Sequence, residues 1–211
     1  ELYTSQGCAA CPPADDLLNQ IADHDAVLPL ALHVDYWDYI GWADTFGKPA
    51  FSERQKAYAR KMGRKSVYTP QMIIGGLDDV QGNATMQVMA QIAEHRMNPL
   101  GGGQIAIEIV AQDGGGVTIN ASSSGVLDYA VDVQIVRFLD KATVEIMAGE
   151  NAGREITYRN IVTVINRNVN SNINGNINAN RSSNSTINRN RISKSNMYSA
   201  NTIISSITTR N

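Results

Sequence analysis

The chain has 211 residues, 43% of them hydrophobic, and a formal net charge of −2. That length suffices for one large or two small domains with a real core, and the charge gives no electrostatic case for nucleic acid or an acidic membrane surface. No apolar run reaches the roughly 18 residues of a membrane helix, and two cysteines cannot staple a chain of this size, so they point to chemistry.

The first fifteen residues organise the rest. Leu2 and Tyr3 suit a strand and Ser5-Gln6-Gly7 a turn. Pro12 and Pro13 suit the first turn of a helix, whose N–H groups have no intrahelical partner. Cys8 then sits at the helix N-terminus, where the macrodipole and unpaired N–H groups favour a thiolate, and Cys11 about one turn further on, within disulfide reach. A Cys-x-x-Cys in a strand-to-helix context reads as a redox pair. No leader precedes the strand, which suggests an N-terminus trimmed by processing or by design.

Leu17, Leu18, Ile21 and Ala22 recur at helical spacing and predict a helix over 12–24. Val27–Val34 is an apolar run suited to a strand buried on both faces. Aromatic and acidic residues follow at 35–42, a loop at 44–49, and a helix over 52–62 that Gly63 terminates. Thr69-Pro70 precedes an apolar strand ending at Gly75-Gly76, 78–82 is a turn or short hairpin, and 84–96 is again helical. This alternation predicts an α/β domain over 1–98.

Residues 99–103 read as a Gly-rich linker. Beyond it 104–111, 117–121, 129–138 and 143–146 alternate as strands, which predicts a smaller antiparallel β-rich domain over 104–162, sandwich-like and without a catalytic constellation. The tail 163–211 is dominated by Asn, Ser, Ile, Arg and Thr. Such composition reads as low-complexity. Nearly all its residues have codons beginning with one base, so the tail is read as out-of-frame or otherwise unreliable sequence.

The cysteine pair at a helix start and the proline before a later strand resemble the thioredoxin superfamily. The longer motifs Cys8-Ala-Ala-Cys-Pro-Pro-Ala-Asp15, His33-Val-Asp-Tyr-Trp-Asp38 and Val67-Tyr-Thr-Pro-Gln-Met72 resemble a family of secreted thioredoxin-like proteins of proteobacteria of unknown function, over roughly 1–162. The resemblance implies a thioredoxin-like domain followed by the β-rich one, a periplasmic or secreted setting, and a cis Thr69–Pro70 bond beside the sulfurs where an extended substrate can pair.

Cys8 is then the candidate nucleophile and Cys11 the resolving cysteine in thiol–disulfide exchange. Thr69 and Pro70 form the substrate-side wall, with Trp37 beside them. Tyr36, Trp37, Tyr39 and Trp42 either line an apolar peptide site or pack a long loop. Glu1, His33 and Asp35 are candidates for proton transfer, although Glu1 stands seven residues before Cys8 and a one-residue offset turns a strand side chain to the other face. The expected partners are protein or peptide thiols and disulfides, with an unidentified redox partner. No cofactor, nucleic acid or membrane span is expected. The rival reading is a non-enzymatic module: a copper carrier using Cys8, Cys11 and His33, or a peptide-binding scaffold. Met86, Met89 and Met97 are expected as core or interface filler.

Overall fold

The structure is a computed structural model and describes residues 1–24, 27–97, 105–111, 117–123, 134–166, 177–179 and 200–204. Its first elements are β1 (Leu2–Thr4), α1 (Pro12–Ile21), β2 (Ala31–His33), a 3-10 turn at Asp38–Ile40, α2 (Pro49–Lys61), β3 (Gln71–Ile74), β4 (Asp78–Gln81) and α3 (Thr85–Met97). Then come β5 (Ile105–Ala111), β6 (Val117–Ser123), β7 (Ile135–Glu145), β8 (Glu155–Asn166), β9 (Ile177–Ala179) and β10 (Ala200–Ile204).

Pro12 opens α1 and Pro49 opens α2, each where the missing N–H costs nothing. The predicted strand over 27–34 shortens to three residues, because Pro29 lacks the donor a ladder needs. The turn or hairpin expected at 78–82 is a strand, β4, paired antiparallel to β3 from Gln71↔Gln81 to Ile74↔Asp78.

The main sheet runs β7-β8-β2-β1-β3-β4, with β10 at the β7 edge. β1 pairs parallel with β2 and antiparallel with β3, and β2 pairs parallel with β8 through Ala31↔Ile161. The described residues 1–97 and 137–164 belong to one compact unit, and β5, β6 and β9 to another. Residues 137–162, expected in the β-rich module of 104–162, therefore belong with the α/β part. Ile146, Ile156, Tyr158 and Ile161 bury themselves there with Trp42 and Phe46, a gain that alternation alone does not reveal. Thr143–Glu145, expected within a separate strand at 143–146, continue β7.

The second unit contains an antiparallel sheet in the order β5-β6-β9, with register from Ile105↔Ser123 to Ala111↔Val117 and from Val117↔Ala179 to Ile119↔Ile177. β9 falls in the low-complexity tail 163–211. The Gly-rich linker at 99–103, residues 129–133 of an expected strand, and most of 163–211 lie outside the described residues.

Strand alternation sorts the main sheet into two faces. Leu2 and Ala31 join Ala14, Leu17, Leu18 and Ile21 of α1 and Val88 of α3 in a buried cluster. Tyr3 points the other way and meets Tyr58 of α2 edge-on at 6.4 Å. Thr4 and His33 are paired in the β1–β2 register. By the same period-2 rule they face α1. That placement decides which polar groups meet beneath the cysteines. The methionines of α3 are not core filler: Met86 and Met97 are 86% and 75% exposed.

Candidate functional site

Cys8 and Cys11 form a disulfide with Cα atoms 5.4 Å apart. Cys11, rather than Cys8, is the N-cap of α1, and Cys8 sits one turn earlier, its carbonyl accepting from the Cys11 N–H at 3.1 Å. The helix end offers few free donors. Pro12 and Pro13 have none, and the N–H groups of Ala14 and Asp15 both go to the Cys11 carbonyl. Charge stabilisation of a thiolate here therefore comes from the aligned dipoles more than from direct N–H contacts. Both cysteines are buried, whereas Ala9 and Ala10 between them are exposed.

The Thr69–Pro70 bond is cis. Pro70 lies close to α1: a Cβ added at Gly82 would stand 3.1 Å from Pro70 and 3.2 Å from Ala14. Trp37 links this loop to the cysteine turn. Its indole N–H donates to Thr69 Oγ1 at 2.7 Å, and its Cβ lies 3.3 Å from where a Gly7 side chain would begin. Gly7 is thus required for close approach. Tyr39, 81% exposed, stacks on Trp37 with centroids 6.5 Å apart. The other two aromatics pack the loop: Tyr36 donates to Gln55, and the Trp42 indole donates to Gln6.

Under the cysteines lies a buried polar cluster. His33 is wholly buried, its Nδ1 2.7 Å from Asp44 Oδ2 and its ring edge-on to Phe46 and Tyr158. Asp44 also accepts from the N–H groups of Gln6 and Phe46. Such an acceptor-filled carboxylate makes Nδ1–H the donor and leaves His33 Nε2 as the free position. That Nε2 and Tyr158 OH are buried without a hydrogen-bond partner, and the buried Asp15 oxygens and Thr4 Oγ1 have none beyond one another. Such groups each carry a desolvation cost, so their clustering is a functional signal. Burial pushes the Asp15 carboxyl up to about 7, which the charge of His33 and the nearby Thr4 hydroxyl only partly offset. Asp15 follows Cys11 at i+4, one turn along the same helix face.

The expected proton-transfer residues divide accordingly. His33 belongs to the cluster. Asp35 does not, since its carboxylate accepts from Ser52 of α2. Glu1 lies on the α2 face, where Arg54 donates to both of its oxygens and the Tyr3 hydroxyl to one. Strand alternation puts it on the side opposite Asp15. For the copper alternative, no group of three or more His, Cys, Asp or Glu among the described residues is arranged to hold a metal.

Sequence reasoning missed Asp15, Asp44, Gln6 and Asn151. Asp15 had a readable signal in its i+4 spacing from Cys11. Asn151 had none: it reaches the site from the β7–β8 turn, 143 residues from Cys8 in sequence, and its Nδ2 donates to the carbonyls of Gln6 and Cys8 at 2.8 and 3.0 Å.

The sequence profile of the family described as protein of unknown function (DUF1223) matches residues 1–198. The chain belongs to that family. No curated protein matches it. Among solved structures, this DUF1223 chain is similar to the crystal structure of protein AGR_C_4864 from Agrobacterium tumefaciens, with 32% identity, a TM-score of 0.66, and coverage of 78% of this chain and 69% of that one. No helix among the described residues is long and apolar enough to cross a membrane.

Proposed function

We propose that this DUF1223 chain is an exported, thioredoxin-like thiol–disulfide exchange protein acting on protein or peptide substrates through Cys8 and Cys11. The observation that carries the reading is the Cys8–Cys11 disulfide at the start of α1, set above a buried titratable cluster. Supporting it are the β1-α1-β2 and β3-β4-α3 halves around one sheet, and the cis Thr69–Pro70 bond tied to the cysteine turn through Trp37. A buried carboxyl with a raised pKa one turn from a cysteine pair is the kind of group that marks a functional site.

In the direction that starts from the disulfide, a substrate thiolate attacks Cys8 Sγ. The Cys8–Cys11 bond breaks and the Cys11 sulfur leaves with the electron pair. Asp15, which retains its proton up to about pH 7, is the nearby source of a proton for that buried sulfur. A second substrate thiolate then attacks its own sulfur in the mixed disulfide and expels Cys8. The substrate has lost two electrons and the cysteine pair has gained them. The reverse direction makes and breaks the same bonds, with Cys8 attacking and Cys11 resolving. Thr69 and Trp37 hold the wall along which the substrate backbone lies.

The test is reduction or oxidation of a disulfide-bearing protein such as insulin, with trapping in Cys11→Ser. Turnover that vanishes in Cys8→Ser, together with a mixed disulfide at Cys8 in Cys11→Ser, is the expected result. Equal turnover in wild type and Cys8→Ser would remove the proposal.

A further inference from the structure

We propose that the β7–β8 hairpin is a gate over the redox pair and that Asn151 is its latch. The proposal rests on the exchange reading for its biological meaning, but not for its physical content.

The hairpin turn spans residues 146–154. It is closed at its base by Ile146 N–H donating to the Arg154 carbonyl and Gly153 N–H to the Ile146 carbonyl. Ile146 is anchored in the core, whereas Met147, Gly149, Glu150, Ala152, Gly153 and Arg154 are exposed. From this solvated turn one side chain reaches inward. Asn151 is 1% exposed, and its two bonds end on the backbone of the turn that carries Cys8. A second touch is Gly149, whose added Cβ would lie 3.3 Å from the Trp42 Cβ. Cys8 is itself only 1% exposed although Ala9 beside it is open. The hairpin is bonded through Asn151 to the Cys8 carbonyl.

The latch is also built to release. Asn151 Oδ1 is buried with no partner, so the closed state uses both amide protons but starves the acceptor. Opening returns that oxygen to water, which offsets part of the two bonds lost. Gly149 and Gly153, both at φ 78°, flank Asn151 and give the turn a backbone that only glycine adopts freely. An attacking sulfur must approach Cys8 in line with the Cys11 sulfur, and on this proposal the closed turn stands in that approach. Oxidised protein would thus be shielded from small thiols and open to a partner that displaces the hairpin.

The experiment follows reduction of Cys8–Cys11 by dithiothreitol, quenched with an alkylating agent and counted by mass. Asn151→Ala and Asn151→Asp remove the donors. Loss of two net hydrogen bonds predicts reduction about 10- to 30-fold faster in both. Rates equal to wild type in a variant with an unchanged urea midpoint would overturn the gate. Should neither variant fold, Asn151→Ser, whose shorter side chain cannot span both carbonyls, should be reduced about 5- to 10-fold faster than wild type, and an equal rate would overturn the proposal. Dithiothreitol reads access alone, so failure of the exchange reading shows in the insulin assay and leaves this result standing.

Discussion

Asp15 is the residue whose replacement discriminates most sharply. In the folded chain its carboxyl is raised from an ordinary 3.8 to about 7, chiefly by burial. Between those values the native protein holds a proton that the unfolded chain has released, so stability falls as pH rises, by 1.36 kcal/mol per pH unit. Across the whole window the loss is about 4 kcal/mol, complete once the pH exceeds about 7, with no contribution to the slope below 3.8. Asp15→Asn keeps the shape, carries no charge at any pH, and should flatten that part of the profile. The variant should match wild type near pH 4 and exceed its stability by up to about 4 kcal/mol at pH 8.

The assay is urea unfolding of the oxidised protein at unit steps from pH 4 to pH 8, read as the difference between variant and wild type. Groups common to both cancel. Glu1 illustrates why this matters. Burial raises its carboxyl, but Arg54, through hydrogen bonds and charge, pulls it below the ordinary value. Its contribution therefore has the opposite sign, present at neutral pH and lost as pH falls. A variant-minus-wild-type difference that stays constant with pH would refute the claim that Asp15 is buried in protonated form. The same variant, assayed for exchange, should lose the inflection near pH 7 in the rate of Cys11 departure while retaining the mixed disulfide at Cys8.

Two further perturbations test the division of the site between the faces of the sheet. Arg54→Ala leaves the Glu1 carboxylate, 14% exposed, without its cation, and should cost about 3–5 kcal/mol in urea unfolding with exchange kinetics unchanged in the folded fraction; a selective loss of turnover would place Glu1 in the chemistry. Trp37→Phe keeps a ring beside Gly7 but removes the N–H donated to Thr69, so KM for a peptide substrate should rise about fivefold at constant kcat, the equivalent of one hydrogen bond. A fall in kcat alone would move Trp37 from substrate positioning to the reacting atoms.

What the sequence made legible and what it hid follow from range. Cys8, Cys11, Pro12 and Pro13 define a helix start by local rules, and the structure has that helix from Pro12. The apolar spacing of Leu17, Leu18 and Ile21 marks its buried side, and Leu17 and Leu18 are 4% and 2% exposed. Short-range patterns of this kind fix elements and faces. They do not fix which strand finds which sheet. β8 falls largely within the stretch expected to be β-rich, but its pairing with β2 joins residues 130 apart, Ala31 and Ile161, and no local feature announces it. That one pairing also delivers Tyr158 to His33 and sets the adjoining turn so that Asn151 reaches Cys8. Apart from Thr69 and Pro70, which the resemblance supplied, the parts of the site legible in advance were therefore those within one or two elements of the cysteines. Parity explains the Glu1 expectation: one residue of offset on β1 assigns it to Arg54 on the α2 face, and the carboxyl that faces α1's side is carried by the helix itself, four residues past Cys11. The reactive pair is read from adjacency in sequence, but its proton source, its cover and its access are set by long-range pairing of the sheet.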